Sequence, residues 1–201
     1  MKTLFIVRHG QTPLNKQKLI HGRKYLPQCP LSEEGVQQAE RFYSSHQDLP
    51  ISSVFTSSLL RSQLSVQHFI EKYPHQILKG FDEVDFGKYE GLTIFENGKC
   101  RLDEVFDQWK KGNYDARIEG GQSLNDIIQQ QKEAMKIVLE KDGNVLIAMH
   151  RRALVILLCW TLNIPYSKAS EIDPKNLELF TLQYNYENQK FISTKDYLIR
   201  D

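Results

Sequence analysis

Apolar positions along the chain follow two rhythms. Residues 3–7 (TLFIV), 51–57 (ISSVFTS) and 144–150 (NVLIAMH) are short, nearly continuous apolar runs, as expected of strands covered on both faces. Residues 31–46 (LSEEGVQQAERFYSSH), 59–73 (LLRSQLSVQHFIEKY) and 123–143 (SLNDIIQQQKEAMKIVLEKDG) instead repeat at helical spacing. Ser32 stands where the first of these helices needs an N-cap. Ser123 with Asp126 three residues on forms a capping box for the third, which Gly143 is expected to end. Residues 75–84 (HQILKGFDEV) read as a third strand or extended segment, and 151–163 (RRALVILLCWTLN) as a buried helix. Residues 177–185 and 190–198 flank YENQ as a terminal hairpin. Only residues 85–120 lack a clear rhythm, apart from a short helix around LDEVFDQWKKG.

Strands alternating with helices predict an α/β fold with a mostly parallel central sheet, covered on both faces. The whole chain, residues 1–201, is read as one domain, with 85–120 inserted in it. Composition agrees with a water-soluble enzyme or binding module: 40% hydrophobic and 25% charged residues. Lys plus Arg (26) nearly cancels Asp plus Glu (25), which argues against a general nucleic-acid or membrane-surface binder. No apolar run approaches the roughly 18–20 residues that span a bilayer, and the N-terminal run breaks at Arg8 too early for a signal peptide. The three cysteines, Cys29, Cys100 and Cys159, show neither a disulfide framework nor zinc spacing. A cytoplasmic location is the simplest reading.

In sheets of this kind ligands bind beyond the carboxyl ends of the strands. There the chain places unusual chemistry. The first strand ends at Arg8-His9, the second runs into Arg61, the third ends near Asp82-Glu83, and the fourth ends at His150. Two arginines, two histidines and a carboxylate without metal-ligand spacing suit an anion, best a phosphoryl group. Arginine grips phosphate oxygens with two hydrogen bonds. Histidine can attack phosphorus, a carboxylic acid can protonate the leaving alkoxide, and arginines can offset the charge of the transition state without Mg²⁺.

Six segments in register then carry a family resemblance. RHGQT (8–12) followed by Asn15, PLSEEGVQQAE (30–40), TSSLLRSQLS (56–65), DEVDFGKYEG (82–91), EGGQS (119–123) and NVLIAMH (144–150) resemble the histidine phosphatase superfamily, the phosphoglycerate mutase-like phosphatases. The resemblance implies a three-layer α/β/α sandwich in which residues 85–120 form a lid over the pocket. It makes His9 the phosphorylated nucleophile, with Arg8, Arg61, His150 and Asn15 holding the phosphoryl oxygens. Spacing alone does not choose among Asp82, Glu83 and Asp85; the family register points to Glu83 as proton donor and later base. His21, in the loop IHGRKYL, is a candidate for the pocket rim. No metal and no cofactor are implied, and the expected partner is a small phosphate ester. Monomer and homodimer both remain open.

Two positions depart from the family. Arg151 and Arg152 follow the second histidine where a small residue is usual, and two cations at a helix N-terminus are unfavourable unless compensated. Either they pair with nearby acids, or Arg151 lies at the pocket mouth and favours a second anionic group on the substrate. Gln122 stands where the family has Glu, a change expected behind the lid or at its hinge. Hydrolysis is the favoured activity. A cofactor-dependent phosphoglycerate mutase is the alternative, weakened by Val84 where such mutases carry arginine, and a non-catalytic phospho-ligand module is the third reading.

Overall fold

The structure is a computed structural model describing residues 1–193, 195 and 197. In chain order its strands are β1 (Lys2–Arg8), β2 (Ile51–Thr56), β3 (His75–Ile77), β4 (Phe95–Glu96), β5 (Lys99–Cys100), β6 (Asn144–Met149), β7 (Leu179–Asn185) and β8 (Lys190–Ser193). The helices are α1 (Pro13–Lys16), α2 (Glu33–His46), α3 (Leu60–Ser65), α4 (Gln67–Ile70), α5 (Asp103–Lys110), α6 (Leu124–Glu140) and α7 (Arg151–Thr161). The main sheet runs β3-β2-β6-β1-β7-β8. Its first four strands are parallel, so their carboxyl ends share one edge, while β7 and β8 join antiparallel.

Period-two alternation sorts the strand side chains between two cores. Leu4, Ile6, Phe55, Val145, Ile147 and Met149 face α5, α6 and α7. Phe5, Val7, Val54, Leu146 and Ala148 face the other way, onto Ala39 and Phe42 of α2 and Phe69 of α4. This is the three-layer α/β/α sandwich, with its sheet mainly parallel. Among the described residues no helix is long and apolar enough to cross a membrane.

Local signals account for most boundaries. Ser32 accepts the Gly35 amide and starts α2, and Ser123 and Asp126 form the reciprocal capping box that starts α6. That helix stops at Glu140, and Gly143 lies three residues on with φ +72° in the turn to β6. Residues 59–73 do not form one helix. Ser65 Oγ donates to the Arg61 carbonyl (2.6 Å) while accepting the Gly10 amide (2.8 Å), and Val66 leaves helical geometry at φ −128°. A serine bonding back one turn bends a helix, and here it also draws α3 onto the end of β1. The third strand is shorter than expected: it stops at Ile77, and Lys79–Phe81 make a single 3-10 turn that brings Asp82 and Glu83 to the sheet edge. The hairpin forms around YENQ as expected, with β7 packed inside the sheet against β1. Its second strand was expected to reach residue 198; residues 194, 196 and 198 lie outside the described residues.

Two glycines are required by contact. Gly10 and Gly35 bring the loop after β1 against the first turn of α2, and a Cβ on Gly35 would stand 2.0 Å from the Gln11 carbonyl oxygen. Gly35→Ala is expected to cost about 1–3 kcal/mol of stability, as overpacking against backbone does. A urea titration reads this as a lower midpoint at constant m; an unmoved midpoint would show that the loop yields freely.

Candidate active site

The parallel register of β1 and β6 sets Arg8 opposite Met149, and the His9 amide continues the ladder to the Met149 carbonyl (2.9 Å). The next residue on each strand is a histidine. His9 and His150 therefore emerge side by side, ring centroids 5.1 Å apart. His9 Nδ1 donates to its neighbour's carbonyl, Gly10 O, at 2.7 Å, which leaves Nε2 as the ring's free lone pair. Burial, and then the charges of Arg61 and Arg8, hold the His9 pKa well below the ordinary 6.5. A neutral imidazole with a fixed tautomer is thus ready at the sheet edge.

His150 is fixed differently. Its Nε2 lies 2.7 Å from Ser57 Oγ, which is 2.8 Å from Ser62 Oγ and accepts the Leu59 amide. Ser62 donates to the Leu59 carbonyl (2.8 Å), so the Ser57 proton goes to Ser62 and Ser57 accepts from His150 Nε2. His150 Nδ1 is then the unprotonated nitrogen, buried without a hydrogen-bond partner among the described residues. Burial and Arg61 push the His150 pKa well down as well.

The two arginines are anchored by carbonyls and an imidazole rather than by carboxylates. Arg8 donates Nη1 to Pro174 O (2.9 Å). The same turn binds the Arg8 carbonyl through the Leu177 amide and the His9 carbonyl through Asn176 Nδ2 (2.8 Å). Arg61 is fully buried; its Nη1 donates to His21 Nε2 (2.9 Å) and its Nη2 to Gly22 O (2.9 Å). In both residues Nε is buried and unpartnered among the described residues. Burial lowers each guanidinium to about 10, so both stay charged at neutral pH. Buried donors without partners cost about 1–3 kcal/mol each, and such atoms clustered in one place mark a ligand site.

The acids divide by role. Asp82 is spent on structure: it accepts the Ser58 amide (2.7 Å) and hydroxyl, and pairs with Arg23 (3.1 Å). Asp85 accepts the Gly87 amide and pairs with Lys24. Glu83 lines the cavity. Its Oε1 accepts the Val84 and Ala153 amides (3.0 and 2.9 Å), and Oε2 accepts the Arg152 amide at 3.2 Å. Glu83 thereby caps α7, whose own N-cap residue His150 offers no side-chain cap. That carboxylate, together with Asp173 bound to Arg151 (2.8 Å), supplies the compensation that two arginines at a helix start require.

A cavity of about 140 Å³ opens over these groups. Of the residues singled out in the sequence, Arg8, His9, Asn15, His21, Glu83 and Arg151 line it, while Arg61 and His150 lie fully buried behind His9. Asn15 is held by its reciprocal capping box with Thr12. His21 reaches the rim and, in addition, props Arg61. Sequence reasoning missed Arg152 and the apolar wall of Leu19, Ile20, Ile94 and Leu102 in the cavity. Phe86 and Phe106 also belong to that wall. It missed as well the Asp173–Leu177 turn behind β1, for which only the Asp-Pro-Lys-Asn run gave a signal. Gln122 accepts the Asp85 amide (3.0 Å) at the start of the 85–120 segment.

That segment is tied to the loop after α1. Ile20 and Gly91–Leu92 exchange backbone bonds, and the Glu90 carboxylate accepts the successive amides of Arg23, Lys24 and Tyr25 together with that of Phe86. Burial raises the Glu90 pKa despite these bonds.

Residues 4–196 match the family profile of the histidine phosphatase superfamily (branch 1). A 6-phosphofructo-2-kinase/fructose-2,6-bisphosphatase of Caenorhabditis elegans is 27% identical over 86% of the chain, which spans only 36% of that relative's length. A probable phosphoglycerate mutase GpmB of Salmonella typhi is 26% identical over 92% of the chain and 86% of the relative. The crystal structure of an Entamoeba histolytica phosphoserine phosphatase with 3-phosphoglyceric acid shares the fold at a TM-score of 0.81, with 17% identity, covering 97% of this chain and 96% of that one.

Three buried histidines titrate unusually. His9 and His150 lie well below 6.5, and burial beside Arg61 pushes His21 down to about 4. Because the folded pKa values are depressed, the unfolded chain binds more protons below the ordinary histidine pKa of about 6.5. The stability these groups contribute is complete above that pH and is lost as pH falls towards about 4 for His21. His21→Gln, which keeps an acceptor for Arg61, is expected to flatten this acid loss in denaturation midpoints; an identical slope would remove His21 from the account.

Proposed function

Because the chain belongs to the histidine phosphatase superfamily, we propose that it is a metal-independent phosphomonoesterase, hydrolysing a small phosphorylated metabolite through a phosphohistidine on His9. One observation carries this reading. The His9 ring is locked by Gly10 O with Nε2 free, beside unpartnered buried nitrogens of Arg8, Arg61 and His150. Relatives in the family are phosphatases or mutases by name, and both activities need such a nucleophile.

The geometry suggests the steps. Arg8, Arg61 and Asn15 hold phosphoryl oxygens, and His150 Nδ1 accepts a hydrogen bond from the protonated oxygen of a phosphate monoanion. His9 Nε2 attacks phosphorus, and the P–O bond to the alcohol breaks. Glu83, once it has taken up a proton from solvent on Oε2, its less committed oxygen, gives that proton to the leaving alkoxide. It then removes one from the water that cleaves the phosphorus–nitrogen bond, which returns His9 to its neutral state and releases phosphate. Arginine charge offsets the transition state throughout. The 85–120 segment serves as the lid.

The mutase reading keeps the same phosphohistidine and replaces water by a second acceptor; the likeness to GpmB favours it. Phosphate release from p-nitrophenyl phosphate in excess EDTA, across mildly acidic to neutral pH, is expected for the wild type. His9→Ala should lower it roughly a thousandfold or more. Loss of wild-type activity on chelation would overturn the metal-independent assignment. Transfer to 3-phosphoglycerate in place of release, primed with 2,3-bisphosphoglycerate, would replace hydrolase by mutase. Ser57→Ala, which deprives His150 Nε2 of its acceptor, is expected to lower kcat/KM about tenfold, the worth of one buried hydrogen bond. Unchanged kcat/KM would free His150 from the tautomer argued above.

A further inference from the structure

The charges lining the cavity do not balance against one phosphate. Arg8, Arg151 and Arg152 all line it, Arg61 lies buried beneath, and Glu83 is the only carboxylate on the wall among the described residues. A phosphate dianion bound at His9 would be matched by Arg8 and Arg61. Arg151 is already engaged, donating Nε and Nη2 to Asp173 Oδ1 (3.1 and 2.8 Å). Arg152 is different: among the described residues its guanidinium has no ion pair. It lies over the ring of a wall residue, 4.4 Å from the Phe106 centroid. Beside it the hydroxyl of Tyr166, a residue only 4% exposed, faces the same guanidinium.

We propose that Arg152 forms a second anion subsite in this cavity, so that the substrate is a phosphate monoester whose alcohol half carries a further anionic group, carboxylate or phosphate. The inference rests on the phosphatase reading for the first phosphate, and it moves the second-anion role expected of Arg151 to its neighbour. Contact with the Phe106 ring restrains the Arg152 side chain, which lowers the entropy cost of binding an oxyanion. The cavity wall also carries Ile20, Ile94, Leu102 and Phe106, which suit a short hydrocarbon chain or ring as the connecting skeleton. Arg152's backbone amide binds Glu83, which ties the subsite to the proposed proton donor through one residue.

Matched esters test this: phenyl phosphate, 3- and 4-carboxyphenyl phosphate, and hydroquinone bisphosphate. Wild type should prefer a doubly anionic ester by about tenfold in kcat/KM, mainly through KM, as a charge-assisted contact provides. The preference should shrink as salt rises, because the site is open to solvent. Arg152→Met, which keeps the contact with Phe106, should bring the ratio close to one; Arg152→Lys should keep part of it. If Arg152→Met does not fold, Arg152→Gln and the salt series decide. A wild-type ratio near one, or a ratio unchanged by loss of the charge, overturns the subsite. The carboxylate and bisphosphate arms show which anion it takes. The same ratios read as Kd by calorimetry on the His9→Ala protein separate the two claims. No turnover with an Arg152-dependent Kd ratio sinks the phosphatase reading alone, and turnover without that ratio sinks the subsite alone.

Discussion

Backbone pairing between β1 and β6 places Arg8 across from Met149, and the site depends on that register. Both strands are buried on both faces, so a slip of one residue would move Leu4, Ile6, Val145 and Ile147 into the opposite core. The same apolar alternation that selects the pairing therefore places His9 beside His150. Packing thus determines the spacing of two imidazoles without any contact between the rings being needed to hold them. Gly10, pressed on Gly35, and Ser65, reaching from α3 to the Gly10 amide, fix the direction in which the chain leaves the sheet.

What surrounds the histidines works against the fold's own stability. Two guanidiniums and two imidazoles are gathered together, with buried polar atoms left over that no group among the described residues satisfies. The protein limits the penalty by bonding Arg8 and Arg61 to carbonyls and to His21, neutral acceptors that leave the cationic charge available. Carboxylates in those places would have stabilised the empty fold and competed with an anion. Glu83 is the exception, and its charge is directed at backbone amides of α7.

The strands and most helices were legible because their signals are local: apolar runs, Ser32, and Ser123 with Asp126. Arg8, His9, Arg61 and His150 could be read from the rule that parallel strand ends converge, and Glu83 from its family register. The limits are equally physical. That α3 breaks at Val66 depends on Gly10, far away in sequence, offering its amide to Ser65. The turn that clamps β1, with Pro174 O and Asn176, shows only as a polar run until the fold brings it home. Arg151 and Arg152 are adjacent and alike in sequence; Asp173 and Phe106, contributed by distant segments, make them different.

Glu90 reaches across the cleft to three consecutive amides of the loop at 23–25 while holding Phe86 on its own side. The two walls that would choose a substrate are consequently one inherited unit. Grafting the 85–120 segment from a relative without its companion loop would strand either a half-buried carboxylate or a row of amides. Redesign of specificity on this scaffold has to transplant both pieces together.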